Sequence, residues 1–444
     1  MKKIFKRFNN SILFFIKALL YLGTFLILFR LLGIENRQVR VLSRTSVIMA
    51  VMYVMALFFF TNVYGGFDVE RRHRKTVIQG MELSVFFSGI FTYAVFNIMN
   101  VNEANGLKLR LYSLGFFILA VLINGLFVFI MVSLGAAFYN YVMPPVPALI
   151  VASDSEDLER IKGSVASFRH RFSDPETAVY NSSDILDKIR ASGMVFFYDV
   201  PEKERAELIN YCYRNMIPVS LNPGIADVLE MTAEERMMGD MPFLFHYPER
   251  MTFEQRVIKR LMDILISGIL LIITSPLFLM AAVMIKAEDG GKIFFRQKRA
   301  TIHGKVFSII KFRTMKEGQE NVSALKDDDR ITKAGSILRK YRIDELPQLI
   351  NIIRGDMSLV GPRPEMLENV TEYEKELPEF RFRLRMKAGL TGLAQVSGRY
   401  NTSSRDKLIL DLLYIERFSI LMDIKILLQT IMVLFNAEDS TEGF

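Results

Sequence analysis

The sequence predicts a membrane protein of the α/β class, and three observations carry that expectation. Hydrophobic residues make up 51% of the 444-residue chain, and mean hydropathy is positive, which calls for membrane spans as well as globular parts. Four long apolar stretches crowd into residues 1–145, as a four-helix transmembrane bundle would require. Beyond them, short apolar strands alternate with helical stretches, the pattern of a parallel sheet. At this length there is room for two or three domains.

Lys2, Lys3, Lys6 and Arg7 open the chain, and the first apolar stretch runs from about Ser11 to Leu32. It is too long for a signal peptide and lacks a small-residue cleavage site. Three more, at about 46–65, 82–100 and 113–138, are each near the length that crosses the hydrocarbon core. The loop 66–80 carries Arg71, Arg72, Arg74 and Lys75; with the basic N-terminus it reads as cytoplasmic, although 33–45 also holds Arg37, Arg40 and Arg44. Four spans return the chain to the cytoplasm near Tyr139. No intramembrane charge marks a transport path, so the bundle reads as an anchor and a transporter is disfavoured.

Pro144, Pro145 and Pro147 punctuate the exit. ALIVA (148–152), TAVYN (177–181), MVFFYDV (194–200) and PVSLN (218–222) then alternate with helices, defining a small Rossmann-like parallel α/β domain over 147–247. A dinucleotide fingerprint would sit just after the first strand. Ser153-Asp154-Ser155-Glu156-Asp157 stands there instead, with no glycine and with acids that repel a pyrophosphate. The domain reads as a scaffold.

Residues 248–258 read as a polar linker into KRLMDILISGILLIITSPLFLMAAVMIKAEDGG. Ile264 to Ile285 is long enough to span, but Ser275-Pro276 sits at its middle, where proline removes a helix hydrogen bond. Two readings stay open on the residues alone: a kinked spanning helix, or a re-entrant helix over 259–286 with Lys259, Arg260 and Lys286 at one interface.

The last part, 253–444, forms the third domain. KIFFRQKR (292–299) and KVFSIIKFRTM (305–315) alternate as two strands around His303-Gly304, and carry Arg296, Arg299, Lys311 and Arg313. In GSILRKYRIDELPQLINIIRGDMSLVGPRP (335–364), Asp344 and Glu345 sit side by side among Arg339, Lys340, Arg342, Arg354 and Arg363. Carboxylates can bind a divalent cation or attack phosphorus, and arginines clamp phosphate oxygens, so the stretch suits phosphate chemistry. An acidic pair taken singly, such as Glu288-Asp289, reads as solvated surface. AGLTGLAQVSGR (388–399) places Gly389, Gly392 and Gly398 where backbone can approach a ligand and ends on Arg399. The stretch 408–435 is apolar on one side, with Asp411, Glu416, Arg417, Asp423 and Lys425 on another: an interfacial helix, or else a core one.

Composition narrows the chemistry. One cysteine, Cys212, and four histidines exclude a disulfide framework and a structural Cys/His zinc site; Cys212 reads as core packing. The formal charge of +8 suits anionic membranes or anionic substrates, and no basic stripe interleaved with aromatics points to nucleic acid.

The Ser-Pro segment, KFRTM (311–315), LRKYRIDELPQL (338–349), GDMSLVGPRP (355–364), GLTGLAQVSGR (389–399) and LDLLYIERFSILMDIKILL (410–428) occur in an order that resembles the bacterial sugar transferases called monotopic phosphoglycosyl transferases. The shared motifs cover about 253–437, and the bundle plus glycine-poor domain resembles the large, polyprenyl-phosphate hexose-1-phosphate transferase subgroup. The resemblance implies a re-entrant-helix monotopic α/β catalytic domain, with its helix broken at Ser275-Pro276, on the cytoplasmic face of the bacterial inner membrane. It implies transfer of hexose-1-phosphate from a UDP-sugar to undecaprenyl phosphate, releasing UMP and initiating capsule, exopolysaccharide or O-antigen assembly. Asp344 would be the nucleophile, with Glu345 its partner around Mg²⁺. Lys311, Arg313, Arg339, Arg363 and Arg399 would be phosphate-binding cations, and Asp411 matches an acidic position. UDP-glucose and UDP-galactose are the leading expectations for the donor; homo-oligomerisation stays open. Thr301 and Ala388 depart from the family, which usually has Gly and Pro there. The rival expectations are a one-step, metal-assisted transfer and a membrane assembly or regulatory protein with a decayed site.

Overall fold

The computed structural model describes residues 8–101, 110–247, 251–316, 329–398 and 403–435. The architecture is mixed α/β, and the chain divides into two compact units, Met1–Asn222 and Pro223–Phe444.

In the first unit, α1 (Asn9–Leu32), the short α2 (Arg37–Arg40), α3 (Arg44–Tyr64), α4 (Arg74–Met99) and α5 (Leu114–Val142) pack around Leu20, Met49, Tyr53, Met81, Phe96 and Val128. All but α2 are long and apolar enough to cross a membrane, and Phe14, Phe58 and Leu122 are exposed on them, as on a lipid-facing surface. Ser84, Ser88 and Thr92 each donate to the carbonyl four residues back, so these hydroxyls enter the apolar interior already paired. The expectation of charge-free spans needs correction: Lys17 lies in α1, 5.8 Å from the Tyr21 ring, and Glu82 lies in α4. Each is about two turns from a helix end, within reach of the interface for a long side chain.

The same unit holds a parallel sheet ordered β2-β1-β3-β4, from β1 (Ala148–Ala152), β2 (Glu176–Val179), β3 (Met194–Tyr198) and β4 (Val219–Leu221). Helices α6 (Ser155–Ala166), α7 (Ile185–Ala191) and α8 (Glu202–Arg214) join the strands. Every β1 residue is buried, because apolar side chains cover both faces of the sheet, Cys212 among them. Strand order reverses between β1 and β3, where open α/β sheets place ligands. Here the chain's own groups bond one another beside that position. Ser153 Oγ donates to Asp199 O, Arg160 donates to the Tyr198 hydroxyl, and the Asp154 side chain accepts from the Asp157 N–H at 2.9 Å.

In the second unit, α9 (Ile225–Thr232) and the hairpin β5 (Glu234–Met238)–β6 (Met241–Phe245) lie past the contact boundary. The sequence reading grouped them with the sheet domain, yet Val228 is buried in the core of the second unit and Arg417 donates to Met231 O. Helix α10 (Phe253–Asp289) starts inside the expected linker, because Thr252 and Gln255 form a capping box. It runs through Ser275-Pro276 without interruption. Pro276 has no N–H for the Ile272 carbonyl, and Ser275 Oγ donates to that oxygen at 2.7 Å in its place. The serine signal was legible, and the segment stays helical across it.

Both ends of α10 pack on this unit. Near its start Asp263 accepts from Ser358 Oγ and Leu359 N; near its end Glu288 accepts from the N–H groups of Lys333 and Ala334. Strands β7 (Phe294–Ala300) and β8 (Val306–Phe312) form the expected antiparallel pair. There follow α11 (Lys333–Lys340), α12 (Gln348–Arg354), β9 (Ser358–Val360), α13 (Leu367–Glu376), β10 (Gly389–Thr391) parallel to β9, and α14 (Leu393–Ser397). The stretch expected as one helix is two, α15 (Ser404–Glu416) and α16 (Ile420–Phe435), with Ser419 Oγ accepting from Met422 N at the new start. Asp411 and Asp423 are 1% and 0% exposed, so the core reading holds over the interfacial one.

The departures at Thr301 and Ala388 meet in one place. Thr301 Oγ accepts from the Ala388 N–H at 3.1 Å and donates to Asp356 O at 3.2 Å. A proline at 388 would bring no N–H, and a glycine at 301 no hydroxyl, so the two substitutions compensate.

Two predictions follow from these packings. NAD titrated calorimetrically into the purified protein should give no binding heat, since Ser153 to Asp157 put acids and no glycine at the β1–β3 switch point; micromolar binding refutes the scaffold reading. Thr301→Gly should destabilise by about 1–3 kcal/mol, leaving the buried Ala388 N–H without its acceptor, whereas Ala388→Pro alone should cost less. Adding Ala388→Pro to Thr301→Gly should recover part of the lost melting temperature in detergent; strict additivity contradicts the pairing.

Candidate active site

The dyad sits on a short 3₁₀ turn, Ile343–Glu345, between α11 and α12. Arg342 just before it has φ +54°, left-handed backbone that a branched or bulky residue adopts only when its surroundings hold it there. The local sequence supplies those surroundings. Leu338 and Leu349, either side of the turn, are fully buried. Gly355 closes α12 with φ +93°, a position that favours glycine.

Buried Asn351 fixes the distance from α12 to β8. Its side-chain oxygen accepts from Ile310 N and its amide donates to Ser308 O, both at 2.9 Å, as a neighbouring strand would. Lys311 is therefore aimed across the turn. Its Nζ donates to Glu345 Oε1 at 2.9 Å, and Arg363 Nη2 donates to the same oxygen at 2.8 Å. Arg339 projects from α11 with Nε on Thr314 Oγ1 at 2.8 Å, close enough to act electrostatically on Asp344.

These charges split the two carboxylates. Burial would raise both. At Glu345 the Arg363 and Lys311 charges overcome it and hold the carboxyl well below the usual range. At Asp344 burial, then the Glu345 charge, prevail over Lys311, Arg339 and Arg363, and its pKa is pushed up to about 6. Among the described residues, no hydrogen bond or ion pair reaches the Asp344 carboxylate. One acid is clamped and ionised; its neighbour keeps its oxygens available.

Lys311, Arg339 and Arg363 thus converge on the dyad as expected. Arg313 does not. It forms a two-pronged pair with Asp289 and donates to Lys292 O at 2.7 Å; Asp289 itself stays on the exposed surface, as read. Asp411 lies one layer back: Arg383 donates to it through Nε at 2.9 Å and Nη2 at 2.7 Å, and to Arg363 O at 2.9 Å. Arg399 lies outside the described residues. Gly389 and Gly392 approach the backbone of Gly361 instead of a ligand: a Cβ on either would come within 2.2 Å of it.

Sequence reasoning passed over Asn351, Arg383 and Glu365. Arg299, counted with the strand cations, donates to Pro364 O at 3.3 Å, and burial pulls its pKa down to about 10. Glu365 follows GPRP directly, and that adjacency was the available signal. Arg383 was hidden in the basic run 381–387.

Known proteins align with this unit. The family model described as bacterial sugar transferase matches residues 254–437. A UDP-glucose:undecaprenyl-phosphate glucose-1-phosphate transferase of Caulobacter vibrioides is 42% identical over 190 residues, covering 41% of this chain and 71% of that protein. An exopolysaccharide production protein ExoY of Sinorhizobium fredii is 41% identical over 191 residues, 39% of this chain and 83% of that one. A UDP-N-acetylgalactosamine-undecaprenyl-phosphate N-acetylgalactosaminephosphotransferase of Aeromonas hydrophila is 42% identical over 180 residues, 39% and 43% of the two chains. The aligned part carries the dyad and its cations. The chain therefore belongs to the bacterial sugar transferase family and is a phosphoglycosyl transferase.

Proposed function

We propose that the protein transfers a hexose-1-phosphate from a UDP-sugar to undecaprenyl phosphate in two steps, initiating an exopolysaccharide or related surface polymer. The observation that carries the reading is the unequal dyad: Glu345 held by Lys311 and Arg363, Asp344 without a hydrogen-bond partner among the described residues. Both substrates are anions, and fixed cations beside a carboxylate are what brings them together. A carboxylate oxygen of Asp344 attacks the β-phosphorus of the donor. The bond from that phosphorus to the bridging oxygen breaks, and UMP leaves with the electron pair. An oxygen of undecaprenyl phosphate then attacks the aspartyl-bound phosphorus, and Asp344 departs as carboxylate. Covalent capture lets the soluble product leave before the lipid arrives.

Asp344 and Glu345 would hold Mg²⁺. Among the described residues no group of three or more metal-binding side chains occurs, and a carboxylate pair completed by substrate phosphates and water is the donor set this ion takes. When bound, the ion would neutralise phosphate charge. Lys311, Arg339 and Arg363 orient the diphosphate and stabilise charge on the departing oxygen. The sugar is left open between glucose, galactose and N-acetylated hexoses.

Asp344→Asn keeps the side chain's size and removes the nucleophile, so UMP release should fall at least about 1,000-fold even without lipid, by analogy with loss of other nucleophiles. Wild-type protein mixed with UDP-sugar and Mg²⁺ should show a hexose-phosphate adduct on Asp344 by mass spectrometry. UMP release that requires lipid and leaves no adduct would favour the one-step rival. No UMP release from any donor would favour the decayed-site rival.

We further infer that α10 enters and leaves the membrane at the cytoplasmic face. In support, Asp263 and Glu288, near opposite ends of the helix, both bond to the catalytic unit. A spanning helix would separate such contacts by about 30 Å of hydrocarbon. Cysteines introduced at Lys286 and near the N-terminus should label with the same sidedness in intact cells. Opposite sidedness refutes the arrangement.

A further inference from the structure

Strand β8 ends at Phe312, and the two residues after it are pinned from different sides. Arg313 N donates to Ile293 O at 2.9 Å, and its guanidinium pairs with Asp289 at the end of α10. Thr314 O accepts at 3.1 Å from the N–H of Thr332, the residue that caps α11. Gly335 packs directly on the Thr314 backbone, where a Cβ would lie 2.1 Å from Thr314 O. Any side chain at 335 would push α11 away.

Arg339 stands four positions after Gly335 on the same face of α11, so the close approach at Gly335 brings its side chain to Thr314. Thr314 is buried, and its Oγ1 accepts from Arg339 Nε at 2.8 Å. Arg313 and Arg363 are each held by a carboxylate, which offsets their charge. Thr314 offers a neutral oxygen, and its bond directs the guanidinium without cancelling charge. Fixing Nε also fixes the plane of the whole fork. Arg339 is one of the three cations whose charge reaches Asp344. A long side chain that must find its direction in every turnover loses rotamer entropy each time; one already held does not.

We propose that Thr314 is a positioning residue for the transfer: its hydroxyl holds the Arg339 guanidinium toward Asp344 and the phosphate that Asp344 attacks. The inference rests on the proposed UDP-sugar chemistry and adds a residue that acts on it through Arg339 alone.

The test compares wild type with Thr314→Val, Thr314→Ser, Arg339→Met and the double variant Thr314→Val/Arg339→Met. UMP release from a panel of UDP-sugars is followed under single-turnover conditions with enzyme in excess, which keeps weak variants measurable; melting temperature in detergent is read alongside. Valine matches threonine in shape and removes the acceptor, so Thr314→Val should slow release about tenfold, the scale of a hydrogen bond to a charged group. Thr314→Ser, which keeps Oγ, should recover most of that loss. Arg339→Met should lose more than Thr314→Val. Adding Thr314→Val to Arg339→Met should then cost nothing further, because the hydroxyl has no guanidinium left to hold. A residue that only supports the fold gives a different pattern, in which its loss multiplies with that of Arg339. Multiplied losses in the double variant, Thr314→Ser as slow as Thr314→Val, or Thr314→Val as fast as wild type each overturn the proposal and leave the UDP-sugar reading standing. Wild type that releases no UMP from any donor overturns both.

Discussion

The segment from Ser358 to Pro364 is tethered at every residue, and the site depends on that. Ser358 N donates to Ala388 O, and Leu359 N donates to Asp263. Val360 O accepts from Lys259 and from the Tyr414 hydroxyl. Gly361 N donates to Thr391 O, and Pro362 O accepts from Gly389 N. Arg363 O accepts from Arg383, and Pro364 O from Arg299. The tethers come from α10, β7, β10, α15 and the 378–385 turn. A guanidinium on so constrained a backbone has its direction set before substrate arrives, which is the condition for electrostatic preorganisation.

That fixed direction is what separates the two acids. Adjacent carboxylates in a half-buried turn cannot both ionise cheaply, and the outcome depends on which oxygen the cations reach. Lys311 is set by β8 through Asn351, and Arg363 by the tethered segment; both converge on Glu345 Oε1. Asp344 feels the same cations only at longer range.

Local features were legible in the sequence and long-range partners were not. The strands declared themselves through apolar runs such as ALIVA and through the alternation on both sides of His303-Gly304. The dyad, Lys311, Arg339 and Arg363 were found because each sits in a short charged motif. The acids of 408–435 were left open between an interfacial and a core helix because hydropathy assigns charge to water. Asp411 pairs with Arg383 and Asp423 with Lys259, 28 and 164 positions away, and only such pairing lets a carboxylate be buried. Arg313 was misassigned for the same reason, its partner being Asp289. The glycines at 389 and 392 carried a correct signal of close approach, but a sequence does not say whether ligand or chain approaches. The start of α10 was available in Thr252-x-x-Gln255 and was obscured by the polar residues around it.

The buried pairs are better understood as positioning devices than as sources of stability. Taking Lys259, Asp423, Arg383 and Asp411 out of water costs several kcal/mol per ion, which their mutual attraction roughly offsets, so apolar replacements of equal volume could leave the fold as stable. What apolar residues cannot do is share hydrogens between a carboxylate and a carbonyl. Lys259 bonds Asp423 and Val360 O; Arg383 bonds Asp411 and Arg363 O. Each ion pair holds its cation in one rotamer, and the cation passes that constraint to the segment carrying Arg363. Lys259 also belongs to α10, the apolar helix of this unit, so one ammonium group ties that helix to the strand that feeds the active site.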